Sequence, residues 1–250
     1  MNLHYQLVFI LNFLVCFFVM KTLSWLMTSP EKRPPFLSFE FGNPYVSVRS
    51  LRIVAPPPVS SLWLTFFLHF TLTLIIIVSV KEFLSPISYF DRILLGVAVF
   101  FFTESLGSLG QLVFSWRKDP IYPIHHHPLS SPSLSEFWGR RWNLWVQDWI
   151  ADMGKPFHRK HKRKIVASFL FSGLFHEAMV NLPHWLFTGE SYFGTMLAYF
   201  FIQGSGLYFD KKFIRRTPPA IRRIFCWMVV ILPAPLFIHV PFLRFFGMTE

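Results

Sequence analysis

Two residues midway along the apolar run IVASFLFSGLFHEAMVNLPHWLF, His176 and Glu177, do not suit a hydrocarbon environment. An ionisable group at the centre of a bilayer costs about 2.5–3.5 kcal/mol or more unless it faces protein or a water-filled cavity. A histidine kept neutral in such a site can act as a general base toward a hydroxyl. A histidine bonded to a neighbouring helix for packing alone is the competing reading. Ser172 and Gly173 lie one helical turn before His176 and Ser168 two turns before it, so small side chains flank the histidine face and allow close approach of a helix or a ligand. His184, after Pro183 near the far end of the run, reads as structural.

Two further runs carry polar stripes. Glu104, Ser108 and Gln111 are spaced four and three apart and share a helix face, with Gly107 and Gly110 beside them. Gln203, Gly204, Ser205 and Gly206 interrupt another run. Three spans whose polar residues (Ser172, Glu104, Ser108, Gln111 and Gln203 among them) turn inward describe a hydrated chamber. Polar contacts between helices would use the same residues.

Between these runs lies SLSEFWGRRWNLWVQDWIADM, with Ser133 or Ser135 as a helix cap and Glu136 in the first turn. Leu134, Trp138, Trp142, Trp145 and Trp149 recur at steps of three or four, which predicts one helix with a broad aromatic face lying in the membrane interface. Glu136, Arg140, Asn143 and Gln147 form its polar line, suited to an entrance from the cytosol. The preceding His125-His126-His127 has no companion carboxylate cluster, so no metal site is expected.

The elements that must position these residues are membrane helices. The chain has 250 residues, 53% hydrophobic, with 32 Phe, and a mean hydropathy of +0.43. A soluble domain of that balance would be covered in apolar surface. Cys16 and Cys226 both lie in apolar runs, which supports neither a disulfide framework nor a cysteine metal site. Stretches of about 20 apolar residues, enough to cross a bilayer, occur at Tyr5 to Met27, Ser60 to Val80, Ile93 to Trp116, Lys164 to Phe187, Ser191 to Phe209 and Ile224 to Leu243. The expectation is an all-α polytopic membrane domain over residues 1–250, with about six spans and one interfacial amphipathic helix. The first run lacks a basic leader and is too long for a signal peptide, so it reads as a retained span.

The formal net charge of +11 is distributed, not clustered as in a nucleic-acid binder. Four basic residues fall between the first two spans, ten in the loop 117–163 with its edge at Lys164, and six between the fifth and sixth spans. The alternate connections and the C-terminal end hold only Lys81, Arg92 and Arg244. That pattern puts the N-terminus in the lumen and the loop 117–163 in the cytosol, with the run Arg159 to Lys164 near anionic membrane lipids.

SLSEFWGRRWNLWV and SGLFHEAMV, in this order, resemble the S-L-x-[DE]-F-W-G-R-R-W-[NH] and S-G-L-x-H-E segments of the wax synthase-like branch of the membrane-bound O-acyltransferases. Asn143 precedes His176 by 33 residues, within the spacing of that superfamily's polar residue and intramembrane histidine. The resemblance implies an endoplasmic reticulum enzyme that passes an acyl group from acyl-CoA, as co-substrate with no bound cofactor, to a lipophilic alcohol, sterol or terpenoid-like acceptor. It implies His176, in the span 164–187, as catalytic histidine, Asn143 as its partner across the chamber and Glu177 as a tuning residue. Trp138, Arg140, Arg141, Trp142 and Gln147 would form the wall that receives acyl-CoA. Members of that family are generally longer, and a shortened, inactive membrane scaffold or lipid-binding protein is the alternative. A glycosylation acceptor inserted in the loop 117–163 should stay unmodified in microsomes, whereas one inserted beside Lys81 should be glycosylated; the reverse pattern would overturn the orientation.

Overall fold

The computed structural model describes residues 3–51, 58–83, 86–115, 122–153 and 161–248. Arg52, Arg117, Lys118, Lys155, Arg159 and Lys160, on which the charge count partly rests, lie outside the described residues. Among the described residues every regular element is helical. Three long helices come first: α1 (Leu3–Met27), with the short α2 (Phe36–Gly42) after it, then α3 (Val59–Phe83) and α4 (Tyr89–Ser115). The first motif follows as α5 (Leu134–Glu136), a π-helical turn Phe137–Arg141, and α6 (Leu144–Met153). Then come α7 (His161–His176), a second π turn Glu177–Asn181, α8 (Leu182–Thr188), α9 (Thr195–Lys212), α10 (Pro219–Ile231), α11 (Ala234–Phe237) and α12 (Val240–Phe245).

Among the described residues, four helical stretches are long and apolar enough to cross a membrane: α1, α3, Tyr89–Phe114 of α4, and Pro219–Phe237, which joins α10 to α11. The fourth and fifth of the six expected spans exist as helices of a different kind. The fourth is divided by its π turn, and α9 ends in Asp210-Lys211-Lys212. Within them Glu177, Asn181, Gln203 and Asp210 are enclosed by protein, whereas α1 and α3 expose Leu11, Phe13, Leu64, Phe67 and Ile75, the pattern of helices solvated by lipid.

At the centre stands α9, which buries Met196, Tyr199, Phe200, Gln203, Leu207 and Asp210. It can be central because glycines let its neighbours come close. Phe169 of α7 lies against Gly204, and Gly173 of α7 lies against the backbone of Leu197. A Cβ on Gly173 would stand 3.1 Å from Leu197 Cα and 2.9 Å from its Cδ1. α3 packs along α4 as a hairpin, with the Thr73 hydroxyl donating to the carbonyls of His69 (2.8 Å) and Ala98 (3.4 Å).

The single interfacial helix expected over 133–153 is replaced by two pieces. The chain leaves the π turn at Trp142 in extended conformation (φ −96, ψ 130) and reverses at Asn143, whose φ is +42. This break rotates α6 out of register with α5, so the aromatic face is dispersed. Leu134 and Trp149 are 0% and 2% exposed, and the Trp149 indole N–H donates to the Met20 carbonyl at 2.7 Å. Leu134 and Trp149 are thus enclosed by protein, while Trp138, Trp142 and Trp145 are half-buried.

Because the Gly173 contact is to backbone, Gly173→Ala forces α7 and α9 apart, a cost of about 1–3 kcal/mol. The variant should melt at a lower temperature in detergent; an unchanged midpoint would show that the two helices are not held this closely.

Candidate active site

His176 is the last residue of α7, immediately before the second π turn, and π turns inside helices recur at functional sites. A π turn frees backbone carbonyls. Here Asn12 of α1 answers them, its Nδ2 donating to the carbonyls of Ala178 (3.0 Å) and Met179 (2.9 Å). The His176 ring is half-buried and sits among Phe200, Phe237 and Phe175, at centroid distances of 4.6, 5.5 and 6.0 Å. Its Nδ1 is 2.7 Å from the Ser172 carbonyl oxygen. A carbonyl only accepts, so Nδ1 carries the proton and the neutral ring presents Nε2 as a free lone pair. No hydrogen bond engages Nε2 among the described residues.

Glu177 turns away from this ring. Its Oε1 accepts from the backbone N–H of Gly194 and of Leu197, both at 2.9 Å, and its Oε2 accepts from Asn181 Nδ2. Gly194, at φ +100, is the N-cap of α9 and has no side chain with which to cap it. The Glu177 carboxylate supplies the missing acceptor at the positive end of the α9 dipole. Asn181 completes the joint: its Nδ2 also donates to the Tyr192 carbonyl (3.1 Å), and its Oδ1 lies 2.6 Å from His239 Nε2.

The first motif flanks α7 from both sides. Trp138 packs on Phe169 (5.4 Å) and Phe200 (6.4 Å), and Phe200 in turn packs on His176, so one ring links the two motifs. Trp149 reaches Phe171 (5.2 Å) and Phe175 (6.3 Å). Asn143 and His176 make no hydrogen bond with each other. The half-buried Asn143 uses its Oδ1 to accept from Val146 N–H at 3.3 Å, capping α6, and its Nδ2 has no partner among the described residues. Gln147 closes the break by donating to the Trp142 carbonyl at 2.5 Å.

The remaining candidates divide between surface and interior. Arg140 is exposed and pairs with Glu136 at 3.3 Å. Arg141 donates to the His127 carbonyl (3.2 Å) and the Ser130 hydroxyl (2.9 Å). Gln203 is 0% exposed: its Oε1 accepts from the Trp138 indole (3.1 Å) and its Nε2 donates to the Val229 carbonyl (2.7 Å). On α4, Ser108 is buried and Glu104 and Gln111 are half-buried. Gly107 there faces Ile124, which would meet a Cβ at 2.4 Å.

Residues 121–202 match the membrane bound O-acyl transferase family. A long-chain-alcohol O-fatty-acyltransferase of Simmondsia chinensis is 33% identical over 85 residues, which cover 28% of this chain and 24% of that one. The two matches support a wax synthase-like member of the membrane-bound O-acyltransferases. The chain thus spans about a quarter of the length of this curated relative. The family segment contains Trp138, Asn143, His176 and Phe200; Gln203 and Phe237, which complete their surroundings here, lie beyond it.

Sequence reasoning passed over His125, Asn12, Asn181 and Phe200. The three histidines part company in the structure: His125 is buried while His126 and His127 are exposed. The His125 Nδ1 accepts from Asn143 N–H at 2.9 Å. Burial pushes its pKa from about 6.5 down to about 3. Between these values the unfolded chain binds a proton that the folded chain refuses, so stability falls as pH drops from about 6.5 to about 3. Melting in detergent between about pH 7 and pH 4 should show this loss, and His125→Asn should remove part of it; identical pH profiles would mean the ring is not protected from protons.

Proposed function

We propose that this protein transfers an acyl group from acyl-CoA to the hydroxyl of a lipophilic acceptor, a long-chain alcohol, sterol or terpenoid-like metabolite, within the endoplasmic reticulum membrane. The observation that carries the reading is His176: Nδ1–H is fixed on the Ser172 carbonyl, which leaves Nε2 as an open base inside an aromatic enclosure. The family match and its long-chain-alcohol relative support the same chemistry.

The acceptor oxygen forms its bond to the thioester carbonyl carbon as Nε2 of His176 takes the hydroxyl proton. The carbon–sulfur bond then breaks, and the CoA thiolate leaves with that proton. The free Nδ2 amide of Asn143 donates to the carbonyl oxygen as negative charge grows on it. A thioester needs no prior activation, so transfer is direct and no acyl-enzyme forms. The distribution of basic residues in the sequence supports a first motif facing the cytosol, where acyl-CoA is found, with apolar acceptors arriving from the bilayer.

Microsomes carrying the wild type should form ester from labelled acetyl-CoA or palmitoyl-CoA with fatty alcohols or sterols. His176→Ala, expressed at the same level, should lose about 100- to 10,000-fold in kcat. Equal activity in the two would refute the role of His176, and inactivity of both would favour a non-catalytic membrane scaffold or lipid-binding protein.

A further inference from the structure

The break in the first motif is held by a short strap, residues 122–127, that runs beside it. His126 N–H donates to the Arg141 carbonyl (2.8 Å), Leu144 N–H donates to the Ile124 carbonyl (2.7 Å), and the Trp145 indole donates to the Tyr122 carbonyl (2.9 Å). Between these lies Asn143, in the left-handed region at φ +42, a conformation that asparagine tolerates better than most residues with a Cβ and that the strap holds in place. The Asn143 N–H meets the His125 ring. Both nitrogens of that ring are engaged. Its Nε2 is 3.1 Å from Thr103 Oγ1, whose own hydroxyl donates to the Phe100 carbonyl at 2.9 Å. The Thr103 oxygen therefore accepts from Nε2–H, which fixes Nδ1 as the acceptor for Asn143. The ring face lies 4.4 Å from Trp142, which is stacked on Phe100 and Phe137.

We propose that His125 is a positioning residue for the acyl-transfer site: through Thr103 of α4 its tautomer is set, and through Asn143 N–H it holds the chain reversal that presents the Asn143 amide. This inference rests on the O-acyltransferase reading for its catalytic consequence, while the conformational part stands on geometry alone. It also assigns a role to the face of α4 that carries Thr103 and Gly107, which meets the strap at His125 and Ile124.

The test compares the wild type, His125→Ala, His125→Asn and Thr103→Val as full chains. An asparagine side chain at 125 offers its Oδ1 close to where Nδ1 stands, so the acceptor is retained; alanine removes it, and valine at 103 releases the tautomer. Two readouts are taken: hydrogen–deuterium exchange of peptides covering Asn143, and kcat and KM for ester formation. His125→Ala should speed exchange at Asn143 and lower kcat about 10- to 100-fold with little change in the acyl-CoA KM. Thr103→Val should do the same more weakly, and His125→Asn should restore both. Unchanged exchange in His125→Ala, or kcat and KM falling together without rescue by asparagine, would overturn the proposal. If the wild type forms no ester, the acyltransferase reading fails, and the exchange data alone decide whether His125 holds Asn143.

Discussion

The Glu177 carboxylate is buried at 6% exposure, and its hydrogen-bond partners among the described residues are amide N–H groups, two of them at the start of α9. A charge in such a place is tolerable because the unsatisfied N–H groups of a helix N-terminus are its natural counterpart. The consequence is positional. The residue after His176 is fixed to the first turn of α9, so α7 and α9 are locked in register at one end, while Gly173 lets them touch at the next turn. Phe200 then falls against the His176 ring. Removing the carboxylate would deprive the Gly194 and Leu197 N–H groups of their acceptor and free the register on which the aromatic enclosure depends.

The other half of the site is built on the opposite principle, a helix interrupted rather than anchored. Had 133–153 formed one continuous helix, Asn143 would be an interior residue with its N–H tied to the preceding turn. The reversal at Asn143 turns it into an N-cap whose Oδ1 accepts from Val146 and whose N–H is available to the strap. Two π turns, one in each motif, thus bracket the same aromatic cluster, each with its released backbone groups answered from a distant segment.

Much of this was legible in the sequence. The apolar runs gave the long helices, and the ionisable pair His176 and Glu177 marked a helix that had to be enclosed. The break at Asn143 was hidden because the step-of-four tryptophans favour a continuous helix, which outweighed the weak signal of Gly139 four residues earlier. What imposes it is a contact with His125, 18 residues earlier, whose buried tautomer depends in turn on Thr103 in another helix. The role of Glu177 was hidden for a similar reason: its partners, Gly194 and Leu197, are near only once α8 has folded back. Six spans were expected and four meet the length and apolarity of a lipid-facing helix, because enclosure by protein permits the other two to be polar.

The indole N–H groups of Trp138, Trp145 and Trp149 are bonded to Gln203, Tyr122 and Met20. Tryptophans that float in the headgroup layer set the depth of a segment by following the lipid; these follow the protein. The position of the motif is therefore dictated by the helices it is tied to, and α1, which holds both Trp149 and the turn after His176, moves the two together. Hydrophobic mismatch is left chiefly to α3, whose outward side chains meet the acyl chains. The spacing between motif and histidine is thereby buffered against the thickness of the surrounding membrane.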